Sequence, residues 1–156
     1  MAAKHCAMAA IASLRPSHVG LCVADLDRSL RFYCEGLGFE VAEGYDLDDS
    51  VVPGLDKSLE VPSPVMLRSQ MITLDAMKIE LLHYTSPGVD GMPSARRNQL
   101  GLTHLSFWVA DVDKAAAALV VCGGTILPDT RQAPGIELVF LADPDGVRVE
   151  LMGDPT

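Results

Sequence analysis

His18-Val-Gly-Leu-Cys-Val-Ala-Asp-Leu-Asp27 and His104-Leu-Ser-Phe-Trp-Val-Ala-Asp-Val-Asp113 are two copies of one pattern, H-x4-V-A-D-[LV]-D, set 86 residues apart (18 against 104). A second pair follows. Met77-Lys-Ile-Glu-Leu81 and Val147-Arg-Val-Glu-Leu151 share [KR]-[IV]-E-L, so that each copy of the unit begins on a histidine and ends on a glutamate. Val19, Leu21 and Val23 alternate with His18, Gly20 and Cys22, the period-2 mark of a half-buried strand. Asp25 then stands at a helix N-cap position, and Leu26, Leu30, Phe32-Tyr33 and Leu37 recur at helical spacing before Gly36 and Gly38 end the run.

Working outward, Phe39 to Tyr45 resumes an extended pattern, and Val65 to Leu74 with Met77 to Tyr84 reads as a hairpin turning at Asp75-Ala76. The first unit is therefore β-α-β-β-β. The second repeats it: Leu102 to Val109 as strand, Asp111 to Val121 as helix, Gly123-Gly124 as stop, then strands near Thr125, over Ile136 to Leu141 and over Val147 to Met152. Asp143-Pro-Asp-Gly146 is a turn. This gives an α+β chain divided into an extension over 1–15, a first module over 16–85, a linker over 86–101 and a second module over 102–153. The closing motifs lie only 70 residues apart (80 against 150), so the first module holds an insertion, placed in the Pro- and acid-rich stretch Asp46 to Pro64 beside the expected cavity.

Strand alternation decides which residues share a face. If Val19, Leu21, Val23 and Leu105, Phe107, Val109 pack under the helices, His18 and His104 point the other way. In the last strands Ile79, Leu81, Val149 and Leu151 take the helix side, leaving Glu80 and Glu150 with the histidines. Two imidazoles and two carboxylates on one side suit a divalent transition metal. The alternative is a set of hydrogen-bonded strand histidines and solvated glutamates, the ordinary condition of a polar sheet face.

At 156 residues the chain is long enough for one good core, and its 49% hydrophobic content with mean hydropathy +0.23 suits a soluble protein with no membrane segment. A net charge of −9 excludes a nucleic-acid surface, since no basic stripe exists to neutralise phosphates. Cys6, Cys22, Cys34 and Cys122 form no disulfide or metal spacing, which points to reduced thiols in a cytoplasm. Trp108 shares a face with His104 and either lines a pocket or packs. Arg68, Lys78, Arg131 and Arg148 are candidates for an anionic group or solvated partners of nearby acids. Arg96-Arg97 reads as exposed linker.

The paired modules, H-V-G-L-x-V-A-D-L-D-R-S-L-x-F-Y from His18, L-G-F from Leu37 and D-P-D-G-V-x-V-E-L from Asp143 resemble the vicinal oxygen chelate superfamily, over Pro16 to Gly153. That superfamily includes glyoxalase I, methylmalonyl-CoA epimerase, extradiol dioxygenases and fosfomycin- or bleomycin-resistance proteins. The resemblance implies an eight-stranded, U-shaped mixed sheet, a homodimer, and one divalent ion (Ni, Zn, Co, Mn, Mg or Fe) on His18, Glu80, His104 and Glu150. It also implies proton-transfer isomerisation or lyase chemistry of the glyoxalase or epimerase type on a small oxygen-chelating carbonyl compound, through a metal-stabilised enediolate, with Glu150 or Glu80 as base. The alternatives are an extradiol-type dioxygenase using His18, His104 and Glu150, or a protein that sequesters a small molecule. Ring-cleaving members normally add a further histidine, and alternation puts His83 on the face opposite Glu80.

Overall fold

The computed structural model describes residues 13–132, 135 and 137–154, so most of the extension over 1–15 and Ile136 lie outside the described residues. The strands are β1 (Val19–Cys22), β2 (Glu40–Asp48), β3 (Met66–Leu74), β4 (Met77–Ser86), β5 (Leu105–Val109), β6 (Thr125–Gln132), β7 (Leu138–Ala142) and β8 (Arg148–Gly153). They form two four-stranded mixed sheets, ordered β1-β4-β3-β2 and β5-β8-β7-β6. In each, the first strand runs parallel to the last and the other pairs are antiparallel. The β-α-β-β-β order of both units is as expected. No ladder joins β1 to β5 among the described residues, so the eight strands stand as two sheets of four, because the units meet through their helices instead.

The helix after the first strand of each unit begins where its aspartate directs. Asp25 Oδ1 accepts from the Arg28 amide at 2.9 Å and Asp111 Oδ1 from the Lys114 amide at 3.0 Å, each satisfying a first-turn donor that the helix itself leaves open. These caps start α1 (Leu26–Leu30) and α3 (Val112–Val121). The first helix departs from the expected single α-helix. Arg31–Gly36 continues it as a π-helical segment, and the wider turn leaves the adjacent Phe32 and Tyr33 both fully buried, their rings edge-on at 5.1 Å.

One apolar cluster joins the two units on the helix side of both sheets: Leu21, Val23, Phe32, Ile79 and Leu81 from the first, with Val112, Leu119, Leu141, Val149 and Leu151 from the second. Each such side chain contributes about 1.5–3 kcal/mol on burial, so this shared core fixes how the units dock. Two glycines permit the close approach. A Cβ on Gly36 would lie 2.8 Å from Leu119 Cδ2, and one on Gly124 2.7 Å from Phe32 Cε2, whereas the neighbouring Gly123, at φ +98°, supplies the left-handed stop to α3.

The Asp143-Pro-Asp-Gly146 turn ties the units together. Asp143, 3% exposed, accepts the amides of Asp145 (2.9 Å) and Val147 (2.8 Å) on Oδ1 and the hydroxyl of Tyr33 on Oδ2 (2.8 Å). Burial pushes the Asp143 carboxyl above its ordinary range against the pull of those donors, and burial together with the Asp143 charge pushes the Tyr33 phenol up as well. Asp145 accepts the Ala24 amide at 3.1 Å and pairs with Arg28.

The insertion is more ordered than a loop. β2 runs on to Asp48, and α2 (Leu55–Leu59) follows. Leu55, Val65 and Leu67 form a second small core with Leu47, Leu59, Val61, Leu82 and Tyr84. Leu82 and Tyr84 alternate with the helix-facing positions of β4 and so share the face of Glu80. The insertion therefore covers the part of that face next to the glutamate.

Candidate metal centre

Sheet register brings each histidine to the glutamate of its own unit. β1 pairs with β4 through Gly20↔Glu80, and β5 with β8 through Ser106↔Glu150, which sets the residue just before each first strand beside the glutamate of the last. His18 Nε2 lies 3.2 Å from Glu80 Oε2, and His104 Nε2 lies 3.4 Å from Glu150 Oε2. Neither glutamate is fully exposed: their side chains are 21% and 13% accessible.

The far ring nitrogen of each histidine is held by the residue before it. Ser17 Oγ is 3.0 Å from His18 Nδ1 and Thr103 Oγ1 is 2.8 Å from His104 Nδ1. With an ion bound at Nε2, the ring proton sits on Nδ1 and can donate to that hydroxyl, the tautomer a metal ligand needs. The glutamates are braced too, but from opposite sides. Ser69 on β3 donates to Glu80 Oε1 at 2.5 Å, and Ser106 on β5 donates to Glu150 Oε2 at 2.7 Å. Both oxygens of Glu80 are thus engaged, whereas Glu150 Oε1 has no hydrogen-bond partner among the described residues. Of these four hydroxyl residues, the dipeptides Ser17-His18 and Thr103-His104 repeat in the sequence and could have been found there. Ser69 and Ser106 occupy unrelated places in the two units and left no such signal.

Each His–Glu pair offers donor types that suit a divalent ion. With ligand bonds of about 2.1 Å, neighbouring donors around an octahedral or tetrahedral ion lie about 3.0–3.4 Å apart, the spacing found within each pair. The chain brings its four residues together two by two. Among the described residues no group of three or more His, Cys, Asp or Glu stands close enough to share an ion. A cleft of about 510 Å³ between Gly20 and Cys22 of β1, the linker and Arg148 has His104 on its wall but not His18 or Glu80.

The remaining candidates divide. Trp108 is 57% exposed on the face of His104, so it is no packed core residue. Arg68 pairs with Asp46 at 3.5 Å, and Arg131 with Asp113 at 2.6 Å and Glu137 at 3.6 Å, which makes both partners of nearby acids. Arg148 is spent within the protein: its two terminal nitrogens donate to the carbonyls of Ser94 (2.7 Å) and Ala95 (2.6 Å). Lys78 borders a shallow hollow with Arg15 and Ser17. His83 lies on the far face, as alternation requires, with Nδ1 3.1 Å from the Val23 carbonyl.

Residues 15–151 match the family described as the Glyoxalase/Bleomycin resistance protein/Dioxygenase superfamily. The chain belongs to this superfamily. Among its relatives is a 2-epi-5-epi-valiolone epimerase of Actinomyces sp., 32% identical over 146 residues that span 88% of this chain and 78% of the epimerase. A catechol-2,3-dioxygenase of Bacillus subtilis (strain 168) is 26% identical across 88% of this chain and 42% of its own length. A glyoxalase family protein from Bacillus cereus shares the fold with a TM-score of 0.80 over 96% of this chain and all of that one (100%), at 22% identity. The glyoxalase I of Leishmania major superposes with a TM-score of 0.61 at 25% identity, over 90% of this chain and 87% of that one. No helix among the described residues is long and apolar enough to cross a membrane.

Proposed function

We propose that this superfamily member is a divalent-metal enzyme of the proton-transfer type, an isomerase closest in chemistry to the epimerases, and that its metal centre is completed by a second copy of the chain. The observation that carries the reading is the pair of braced His–Glu half-sites, at 3.2 and 3.4 Å, each offering two ligands with the spacing of a metal's coordination sphere. His18 and Glu80 of one copy with His104 and Glu150 of another supply the His2Glu2 set, and a homodimer holds two such centres. The shared helix-side core, which binds the two units of one chain in a fixed relation, favours completion by a partner over completion within the chain.

When bound, Ni, Zn, Co, Mn, Mg or Fe in the divalent state would polarise a substrate carbonyl and stabilise the negative charge left when the neighbouring carbon loses its proton. The chain's own part is to hold and move that proton. Glu150 is the better base, because its Oε1 has no other partner, while Ser69 and His18 occupy both oxygens of Glu80. Glu80 then orients the set, and Ser17 and Thr103 keep both imidazoles in the ligating tautomer. The epimerase relative supports this class, since inversion of a carbon beside a carbonyl is removal of a proton and its return to the other face.

The test is solvent exchange. Metal-loaded protein, incubated without oxygen in deuterium oxide with a panel of cyclic and acyclic 2-hydroxyketones and 2-oxo thiohemiacetals, should place deuterium next to the carbonyl of its substrate, and chelation should abolish this. Glu150→Gln should suppress exchange more than it weakens binding. Iron-dependent consumption of oxygen with catechols, and no anaerobic exchange, would replace the isomerase reading with an oxygenase. Tight binding with neither reaction would leave a sequestering protein.

A further inference from the structure

The linker does more than join the two units. Arg148 grips its backbone through the carbonyls of Ser94 and Ala95, and a turn closes just beyond, with the Arg96 amide donating to Gln99 Oε1 at 2.8 Å and the Gln99 amide to the Arg96 carbonyl at 3.2 Å. The turn lays Arg97 on a ring. Its guanidinium carbon stands 4.2 Å from the centre of Phe140, whose ring meets His104 edge-on at 5.2 Å and which pairs with Glu150 across β7 and β8. The Arg97 guanidinium therefore lies within about 10 Å of the His104 ring, on the wall of a second cleft that shares Arg148 with the one His104 lines.

This charge is uncommitted. In a chain of net charge −9, neither Arg96 nor Arg97 has a carboxylate within 4.0 Å among the described residues, and Arg148, which shares their cleft, is taken up by backbone carbonyls. This second cleft, of about 510 Å³, is walled by Arg96, Arg97, Asn98 and Arg148 on one side and Leu127 to Thr130, including Asp129, on the other. Stacking fixes the plane of a guanidinium and leaves its N–H edge facing outward, the arrangement that grips a planar or tetrahedral oxyanion by two parallel hydrogen bonds. The favourable ring contact also offsets part of the entropy otherwise lost in holding so long a side chain.

We propose that Arg97 is a substrate-binding residue that takes an oxyanion, a carboxylate or phosphate group, on the end of the substrate away from the atoms held at His104 and Glu150. The substrate class follows: a small hydroxycarbonyl compound bearing an acid group. The inference rests on the metal-site reading given above for the position of the reacting end, and its test separates the two.

Zinc-loaded protein would be titrated calorimetrically with acetohydroxamate, which only chelates, and with phosphonoacetohydroxamate and succinohydroxamate, which add a phosphonate or a carboxylate. Wild type should bind at least one anionic probe about tenfold or more tighter than acetohydroxamate, the effect of one charge-assisted pair. Arg97→Gln should reduce that advantage to about twofold or less while acetohydroxamate binds as before. The stronger of the two anionic probes names the group. An equal affinity of wild type for all three, or an advantage that survives in Arg97→Gln, overturns the proposal. If acetohydroxamate does not bind at all, the metal reading fails instead, and titration of metal-free protein with inorganic phosphate decides for Arg97: a saturable shift of its Nε–H signal, reversed by salt, supports the oxyanion site, and no shift refutes it.

Discussion

Complementation between two crippled chains measures directly whether the centre is shared. In His18→Ala/Glu80→Ala the first half-site is gone and in His104→Ala/Glu150→Ala the second, yet each variant keeps the other pair at its native 3.4 or 3.2 Å spacing with its hydroxyl brace intact. Two ligands out of four hold a divalent ion poorly, so each variant alone should come through a chelating resin with little metal. Co-expressed, they should recover some. In a two-fold dimer whose centres each combine the first half of one chain with the second half of the other, a mixed pair has one intact centre and one with no ligands. Random pairing makes about half the dimers mixed, so recovery should reach about a quarter of the wild-type metal per chain. Purifying the mixed dimers through a tag on each chain should raise this to about half. The assay is elemental analysis beside native mass spectrometry. Metal-free mixed dimers, with wild type fully loaded, would refute the shared centre, because only a site confined to one chain gives that result.

Four further outcomes follow from the fold and the site. Tyr33→Phe removes a donor from the buried Asp143 carboxylate, and should lower the unfolding free energy by about 1.5–3 kcal/mol in urea, since the bond is to a charged group. Because burial raises the carboxyl of Asp143 in the folded state, its protonated form favours folding below the unfolded value of about 3.9, and this contribution is lost as pH climbs through the folded value. The stability of Asp143→Asn relative to wild type should therefore improve from about pH 4 upward, and a flat difference between the two urea titrations would contradict this sign. Gly124→Ala must displace Phe32 or the Leu119 carbonyl, 3.0 Å from the new Cβ, and should cost about 1–3 kcal/mol in thermal unfolding. Leu55→Asp, which loosens the insertion from Leu67, Leu82 and Tyr84, should alter which chelating ligands bind while elemental analysis finds the metal content unchanged.

The sequence by itself determined the order of elements, the caps and the parity of the four site residues. These are local properties. Period-2 alternation from His18 to Val23 and from Lys78 to Leu81 sets the imidazole and carboxylate on one side whatever the rest of the chain does, and Asp25 and Asp111 start their helices through bonds only three residues long. The insertion was legible as extra length in the first repeat, though not its short helix or its small core, which depend on Leu82 and Tyr84 far along the chain. The anchoring of Arg97 was not legible at all, because Phe140 and Arg148 reach the linker only in the folded protein.

Only the tertiary structure decided how the two units dock, and with that where their histidines and glutamates stand. The repeat would look the same whether His18 met His104 within a chain or across a pair of chains, because strand patterning records which face is apolar and not which apolar faces meet. The docking is fixed by contacts between distant residues: Tyr33 on Asp143, Phe32 over Gly124, Gly36 against Leu119. Each depends on shape and close approach in three dimensions, and this leaves two separate His–Glu pairs among the described residues instead of one cluster of four.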